Sequence, residues 1–389
     1  MANAKLDSIS AMIFELFYNF NSSSTKSKLM KFTKSFLACL LVLLVLSCQS
    51  QKNESAKPFE QAIELTNDFI AKNKIPGLAI TVSVKGKNVF SKGFGYGNLE
   101  SQSKVNPATT KFRIGSISKP VSADALIQLW DENKLQLDSS IQFYLPDFPK
   151  KQAKITSRMV AGHLAGIRHY NGNEFLSAKH YDNIDDALEI FENDPLISYP
   201  GEEYHYSSYG WNLLSRIVEK ASGEEFLSYM QHHVFDPLKM HNTTADHTDS
   251  IITNRTGFYQ RTKDNKIING PFVDNSIKWA GGGFLSTSED IMRFAKAHSK
   301  VGYLSQKQID ELTRPQQTLD GTKTEYGIGW ASGTDRQGHY FYGHSGGSIG
   351  ATTHMIIYPK EEICVVVLTN LSNVRFNSFS HDIANLFMD

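Results

Sequence analysis

The sequence has little cysteine, no excess of either charge and no apolar run long enough to span a membrane. Three cysteines among 389 residues exclude a small disulfide-rich scaffold. The 40 basic and 40 acidic side chains cancel to a formal net charge of zero, so the chain lacks the basic surface typical of a duplex nucleic-acid binder. With 40% hydrophobic residues, it is too apolar for an intrinsically disordered protein. Its length exceeds the ~250–300 residues at which one core stops growing, so we expect two lobes around a cleft.

The first apolar run, Phe36–Leu46, is typical of a secretory leader. Its eleven residues fall short of the roughly 20 that cross a bilayer. Four lysines precede it, as in the basic region of a signal peptide: Lys26, Lys28, Lys31 and Lys34. The run ends in Val45-Leu46-Ser47-Cys48, which resembles a bacterial lipobox, and we therefore predict lipid attachment at Cys48. An ordinary signal peptide with an incidental Cys48 and an uncleaved anchor are the alternatives.

This leader sets the expected location and the start of the mature chain. We predict a leader over 1–47, with the lipoprotein signal peptide at about 30–47 and an over-extended start over 1–29, because Met30 looks like the better first residue. A polar tether over 48–57 would join the lipid to a domain over 58–389. The expected location is the bacterial cell envelope, at the membrane through lipidated Cys48, with no nucleic-acid partner.

The mature chain carries strand patterns at both ends and helical patterns between them. An apolar period of 3.6 residues predicts a helix over Pro58–Lys74, and a β-hairpin follows from Leu78–Val84 and Val89–Phe94. We therefore predict an α+β protein: one antiparallel sheet of about five strands, flanked by N- and C-terminal helices, with an inserted and mostly helical lobe at about 120–275. The C-terminal part is predicted to hold strands at Gly327–Ser332, His339–Gly343, Ala351–Tyr358 and Ile363–Thr369, and a last helix at about Asn373–Phe387.

Ser116 and Lys119 form the first candidate catalytic pair. An apolar stripe predicts a helix from Ser116 to about Asn133, and three residues of spacing place both side chains on one helical face. A helix N-terminus can stabilise an alkoxide or an oxyanion. Because a serine hydroxyl is a weak nucleophile, it needs an adjacent base, which a desolvated lysine can supply. The same spacing at Ser101 and Lys104, and again at 23 and 26, is interpreted as chance.

Two later segments could complete such a site. Tyr206 lies where a loop enters a helix, and a nearby lysine ammonium would lower its pKa toward that of a general base. His344-Ser345-Gly346-Gly347 follows a predicted strand, where glycines let a substrate approach the backbone. The N–H of Gly347 could form an oxyanion hole with that of Ser116. Tyr206 as a simple core aromatic is the alternative for that residue.

Metal and phosphate sites are disfavoured by spacing. The histidines show no H-E-x-x-H or similar arrangement, so we predict no metal. Gly281–Gly283 lies in neither a P-loop nor a dinucleotide-binding context and is interpreted as a tight structural turn. No cofactor is expected.

Taken together, the motifs resemble the serine β-lactamase and penicillin-binding-protein superfamily, specifically its class C-like branch, peptidase family S12. Motif one is Ser116-x-x-Lys119, motif two is Tyr206-x-Ser208 and motif three is His344-x-Gly346. The resemblance runs from about Phe59 to the C-terminus. The segment GHLAGIRHY at 162–170 is most similar to the mitochondrial serine β-lactamase-like proteins.

The resemblance implies a β-lactamase/transpeptidase-like fold and a set of roles. Ser116 would be the acylated nucleophile, with Lys119 and Tyr206 sharing proton transfer. Which of the two is the base in each step stays open. The N–H groups of Ser116 and Gly347 would form the oxyanion hole. The residues implied to bind a small-molecule or peptide substrate are Ser208, His344, Ser345 and Gly346.

Two departures from the family pattern bear on the substrate. Motif two usually ends in asparagine, whereas Ser208 offers a hydroxyl with shorter reach. Motif three often begins with a lysine that binds a carboxylate, whereas His344 would be mostly neutral at pH 7. Both changes argue against an efficient β-lactamase and favour a peptidase, esterase or amidase. If His344 binds a carboxylate as imidazolium, kcat/KM for anionic substrates should fall as pH rises through its pKa.

Two functions from different classes are compatible with the sequence. The first is a lipid-anchored serine hydrolase that forms an acyl-enzyme. The second is a catalytically retired relative that binds peptides or scaffolds an assembly. The intact set of Ser116, Lys119 and Tyr206 favours the enzyme. The sequence leaves open the substrate class and the oligomeric state.

Overall fold

The computed structural model describes residues 57–388. The predicted leader, the lipid anchor Cys48 and almost all of the tether lie outside these residues, so they stay predictions. Contacts divide the chain into two units, Met1–Glu60 and Gln61–Asp389. Of the first unit, the described residues are 57–60, which form the opening turn of a helix. Across the described range, every helix is too short or too polar to traverse a bilayer.

The helices and strands are numbered in chain order. The helices are α1 (57–73), α2 (Ser118–Asp131), α3 (Ser157–Ala161), α4 (Ile184–Leu188), α5 (Tyr209–Ser222), α6 (Phe226–Met230), α7 (Trp279–Gly282), α8 (Ser288–His298), α9 (Gln306–Thr313) and α10 (Phe379–Asn385). The strands are β1 (Gly77–Val84), β2 (Lys87–Asn98), β3 (Ser103–Lys104), β4 (Phe112–Arg113), β5 (Thr244–Ala245), β6 (Tyr259–Arg261), β7 (Ile267–Asn269), β8 (Phe284–Ser286), β9 (Ala331–Thr334), β10 (Tyr340–Ser348), β11 (Ala351–Tyr358) and β12 (Ile363–Thr369).

The main sheet has seven strands in the order β3-β2-β1-β12-β11-β10-β9, and every neighbouring pair is antiparallel. Its central strands β1 and β12 are rich in β-branched residues and almost entirely buried, as expected for strands covered on both faces. The predicted α+β architecture is confirmed. The strand count exceeds the predicted number of about five. The two-residue β3 is too short to show a pattern in the sequence, whereas β9 overlaps the strand predicted at Gly327–Ser332.

Helices cover the two faces of this sheet. Residues directly opposite each other in an antiparallel pair share a face, which places Thr81, Val366 and Met355 on one side. The Thr81 hydroxyl donates to Ser288 Oγ at the start of α8 over 2.9 Å. His354 faces the other way and lies 2.9 Å from Ser380 Oγ in α10. Helices α8 and α10 therefore pack on opposite faces.

A three-stranded sheet, β4-β8-β5, positions the candidate serine. Strand β4 pairs with β8, and the N–H of Ile114 donates to the Phe284 carbonyl over 3.0 Å. The chain then makes a 3₁₀ turn at Gly115–Ile117 and enters α2. Nearly every side chain of α2 is buried, so the helix is fixed by packing on all sides.

Several predicted elements have different ends in the structure: α2 begins at Ser118 instead of Ser116, and β2 spans Lys87–Asn98 instead of Val89–Phe94. Two further differences have a local cause. Strand β9 begins at Ala331 instead of Gly327, because Gly329 adopts a left-handed φ of +78° that breaks an extended strand. The last helix begins at Phe379 instead of Asn373, because Asn373 and Asn377 also have positive φ values. Strand β10 continues through the glycines of motif three to Ser348.

Asp246, which follows β5, holds the small sheet to the loop before α7. Its carboxylate accepts hydrogen bonds from Arg113 Nε at 2.6 Å, from Asn275 Nδ2 at 2.8 Å and from an Arg255 guanidinium nitrogen at 3.3 Å. Asp246 is fully buried and Arg113 nearly so. Replacing Asp246 by alanine would leave the Arg113 charge buried and without its partner. We expect Asp246→Ala to lower the free energy of unfolding by about 3–5 kcal/mol, measured by urea denaturation.

An exposed pair provides the control for that measurement. Asp138 accepts two hydrogen bonds from Arg158, but 70% of its side chain is accessible to solvent. Removing one partner of such a pair costs about 1 kcal/mol or less. Equal losses in the free energy of unfolding for Asp138→Ala and Asp246→Ala would contradict the expectation that a buried ion pair is more costly to break than an exposed one.

Candidate active site

Ser116 lies in the 3₁₀ turn between β4 and α2, with its side chain partly buried. The preceding residue, Gly115, has a φ of +52°, a conformation that glycine adopts without strain. A Cβ at Gly115 would lie 2.7 Å from the Gly347 nitrogen. Glycine at 115 therefore lets the serine turn approach strand β10 closely.

Lys119, the second member of the pair, is fully buried in the first turn of α2. Its Nζ lies 3.1 Å from Ser116 Oγ, 3.0 Å from Ser208 Oγ and 2.7 Å from the Gly281 carbonyl oxygen. No carboxylate of the described residues pairs with it. The structure thus brings together both halves of motif one and the last residue of motif two.

Burial controls the protonation of Lys119. Desolvation, reinforced by the positive charge of Lys278, holds the pKa of Lys119 well below its usual value. A neutral amine has two N–H donors and one lone pair. With the N–H groups directed to Gly281 and Ser208, the lone pair is available to accept the Ser116 hydroxyl proton. This is the arrangement expected of a general base.

Tyr206 lies beside this pair but differs from its predicted electrostatic state. Lys119 Nζ lies 4.8 Å from the centre of the Tyr206 ring, and the tyrosine hydroxyl interacts with Ser116. Burial raises the pKa of Tyr206. The prediction that a lysine ammonium lowers this pKa is wrong, because Lys119 is itself desolvated. Tyr206 is therefore a neutral phenol, able to pass on a proton.

The two predicted oxyanion-hole residues lie on adjacent segments. Gly347 pairs with Thr352 in the β10–β11 ladder, and the space that a Cβ at Gly347 would occupy is open. Next to it, a Cβ at Gly346 would lie 2.0 Å from the Ile114 carbonyl oxygen. Strand β10 and the serine turn are therefore in backbone contact. This contact brings Gly346 and Gly347 next to residues 114 and 115, which directly precede Ser116, and the oxyanion-hole role of the two amides stays a prediction.

His344 is buried and held in one tautomer. The Ser345 carbonyl can only accept, so His344 Nδ1 carries the proton that bridges the 2.5 Å between them. Nε2 then accepts from the Tyr326 hydroxyl at 2.8 Å. Burial is the largest cause that lowers the pKa of His344, to about 3. A role as imidazolium is contradicted by this environment, and binding of substrate by neutral His344 or by exposed Ser345 stays a prediction.

This environment predicts how His344 behaves on titration. We expect its ring nitrogen shifts to stay constant between about pH 5 and pH 8, because its pKa lies below that range. Histidine-selective ¹⁵N NMR measures this, with the signals assigned through His344→Gln. His180 is an internal control, since a hydrogen bond to Asp274 raises its pKa and its signals should move. If the ring nitrogen shifts of His344 change over this range, His344 becomes positively charged and motif three can provide a cation after all.

Several residues of the site were not predicted to belong to it. Two histidines hold the Tyr206-x-Ser208 turn: His163 Nδ1 accepts from the Ser207 N–H and His169 Nδ1 from the Ser208 N–H, both at 3.1 Å. Gly281 was predicted to serve only as a turn, but its carbonyl accepts from Lys119. The run of three glycines is its only mark in the sequence.

No group of three histidine, cysteine, aspartate or glutamate side chains within residues 57–388 is arranged to hold a metal ion. The groups that the structure places around the Ser116 hydroxyl are the amine of Lys119, the phenol of Tyr206 and backbone amides. This set suits attack on a carbonyl carbon through a covalent intermediate.

Comparison with known proteins identifies the family. A family profile described as Beta-lactamase matches residues 62–384, a range that contains every residue of this site. The chain belongs to the beta-lactamase family. The resemblance to the serine β-lactamase and penicillin-binding-protein superfamily is thereby confirmed, and the assignment to peptidase family S12 stays a prediction.

Relatives of this beta-lactamase-family chain differ widely in source. The mitochondrial serine beta-lactamase-like protein LACTB of Mus musculus is 29% identical, over 85% of this chain and 81% of its own. An octameric penicillin-binding protein homologue from Pyrococcus abyssi has a TM-score of 0.72 at 24% identity, covering 85% of this chain and 77% of that one. A D-stereospecific amidohydrolase from Streptomyces sp. has a TM-score of 0.68 at 20% identity, covering 81% and 95%. Both structures show that the beta-lactamase-like fold is shared.

Proposed function

We propose that the protein is a serine hydrolase that cleaves an amide or ester bond through an acyl-enzyme. One observation carries the proposal: the hydroxyl of Ser116 lies 3.1 Å from the amine of a fully buried Lys119. Because burial favours the neutral amine, the pKa of Lys119 is lowered in the direction that a general base needs. A lysine with a purely structural role would not need to be desolvated beside a serine.

In the acylation step, Ser116 Oγ attacks the carbonyl carbon of the substrate while its proton passes to Lys119 Nζ. The carbonyl π electrons move to oxygen, and the resulting oxyanion accepts hydrogen bonds from the amides of Ser116 and Gly347. Tyr206 donates its hydroxyl proton to the departing nitrogen or oxygen and recovers one from Lys119. The bond to the leaving group breaks, and the acyl group remains on Ser116.

In the second step, a water molecule hydrolyses the acyl-enzyme after the leaving group has departed. The site residues take a proton from the water as its oxygen attacks the acyl carbon, and the same two amides bind the second oxyanion. Collapse of this intermediate breaks the ester bond to Ser116, whose oxygen regains a proton, and releases a carboxylic acid. The neutral phenol of Tyr206 favours Lys119 as the first base and Tyr206 as the proton donor.

The proposed substrate class rests on two groups that are usual in the family and missing here, an amide in motif two and a positive charge in motif three. Ser208 provides a hydroxyl where an amide is usual, and His344 provides no positive charge. These features fit an amidase, esterase or peptidase better than an efficient β-lactamase. The amidohydrolase from Streptomyces sp. shows that the shared fold accommodates amide hydrolysis.

A covalent probe tests the proposal directly. Purified residues 49–389 would be treated with a fluorophosphonate, which phosphonylates an activated serine, and the adduct would be mapped by mass spectrometry. We expect one adduct, on Ser116. A folded protein that forms no adduct there would instead support a retired, peptide-binding relative.

A further inference from the structure

A second buried lysine lies close to the candidate active site and has no carboxylate partner. Lys278 immediately precedes α7, and only 4% of its surface is exposed. Its Nζ lies over two aromatic rings, 4.5 Å from the centre of Phe175 and 5.5 Å from that of Tyr170. Among residues 57–388, no acidic side chain forms a salt bridge with it. A buried cation without an anion is costly, so its retention calls for a functional explanation.

The neighbouring acid does not neutralise Lys278. Asp246 acts on it electrostatically, but both oxygens of that carboxylate already bind other groups: Arg113 and Asn275 on Oδ2 and Arg255 on Oδ1. The positive charge of Arg113 repels that of Lys278. Burial is the largest cause that lowers the pKa of Lys278, to about 7. An additional anion beside Lys278 would relieve this imbalance.

Lys278 also lies within electrostatic reach of the reacting groups. Its charge lowers the pKa of both Lys119 and His169. His169 accepts from the Ser208 N–H and stacks obliquely on Tyr170, with ring centres 4.4 Å apart. Lys278 therefore lies on the Tyr170 side of the site, in a molecule whose motif three holds no cation.

We propose that Lys278 determines specificity by binding an anionic group of the substrate, a carboxylate in the case of amide and ester substrates. This inference rests on the proposed hydrolase function. Lys278 supplies the attraction that neutral His344 cannot, from a different part of the site. It takes no part in bond making or breaking.

Matched substrates test this proposal. The first pair is p-nitrophenyl hydrogen glutarate and p-nitrophenyl pentanoate, which have acyl chains of equal length with and without a terminal carboxylate. The second pair, 4-acetoxybenzoate and phenyl acetate, places the carboxylate in the leaving group. We expect the native protein to prefer the anionic member of at least one pair in kcat/KM. In Lys278→Met this preference should fall by roughly 10- to 100-fold, mainly through KM, the scale of one hydrogen bond to a charged group.

A third buried lysine, Lys111, provides the matched control. Lys111 is 8% exposed and its Nζ donates to the Thr253 carbonyl over 3.1 Å. Lys111→Met removes a buried charge of the same type and should leave the preference unchanged. Thermal unfolding verifies that each variant is folded, and Lys278→Gln replaces Lys278→Met if the latter does not fold.

The outcomes separate this inference from the hydrolase function itself. The fluorophosphonate probe is neutral, so labelling of Ser116 should persist in Lys278→Met. If the native protein is not labelled, the hydrolase function is refuted, and the role of Lys278 that rests on it is refuted as well. Labelling without any preference for a carboxylate in either pair would overturn the role of Lys278. Equal losses for neutral and anionic substrates in Lys278→Met would also overturn it, because they would assign Lys278 to tuning of Lys119.

Discussion

Replacing Ser116 by alanine should reduce turnover of an activated ester by roughly 10⁴-fold or more, because the covalent route is removed entirely. The substitution deletes one oxygen from a partly buried side chain at a 3₁₀ turn. It should therefore leave the fold intact. Steady-state hydrolysis of p-nitrophenyl pentanoate measures the loss, and circular dichroism verifies folding.

The chain contains its own control for this result. Ser101 and Lys104 repeat the spacing of motif one, but Ser101 is exposed and hydrogen-bonds only to Asn98 and Ser103. Ser101→Ala should keep full activity. Undiminished hydrolysis by Ser116→Ala would place the nucleophile elsewhere.

Replacing Lys119 by methionine or arginine should reduce kcat by about 10²- to 10⁴-fold, the usual contribution of a general base. Methionine fills a similar volume without an amine. Arginine keeps a positive charge but cannot accept a proton. If Lys119 acts as base, both variants fail. Activity retained by Lys119→Arg would show that the residue serves as a cation instead.

The same variants have an expected signature in stability. The folded pKa of Lys119 lies below the unfolded one, so the unfolded chain binds a proton that the folded chain does not. The stability penalty is absent above the unfolded pKa and grows as pH falls toward the folded pKa. We therefore expect the free energy of unfolding of the native protein to rise with pH over the alkaline range. Lys119→Met should show a smaller rise when both are followed by urea denaturation.

The pairing of Ser116 with Lys119 could be predicted from sequence because local geometry fixes it, although Ser116 lies in the 3₁₀ turn that leads into α2 and the helix itself begins two residues later than predicted. Three residues of spacing at the start of a helix leave little freedom, and the observed separation of 3.1 Å follows. The central strands could also be predicted from sequence, since runs such as the one in β12 consist mostly of buried β-branched residues. Local geometry and apolar pattern decide these features.

Two kinds of feature could not be predicted in this way: contacts of backbone groups that are distant in sequence, and the burial of a side chain by distant parts of the chain. The Gly281 carbonyl enters the site from 162 residues along the chain, and a glycine gives no side-chain clue to it. Lys278 carries a residue type that is normally exposed, so only the fold shows that it is buried. The hydroxyl of Tyr326, which donates to His344 Nε2, belongs to none of the three motifs.

Strand β1 lies beside β12 at the centre of the sheet, with Leu78 opposite Thr369. During synthesis on the ribosome, the first half of this sheet must therefore wait for nearly 300 further residues before its central neighbour exists. A nascent chain that ends at β9 already contains Ser116 and Lys119, but it lacks Gly347 and the strand that carries it. The proposed nucleophile is made early and the proposed oxyanion-hole residue late, so an incomplete polypeptide does not hold the assembled site.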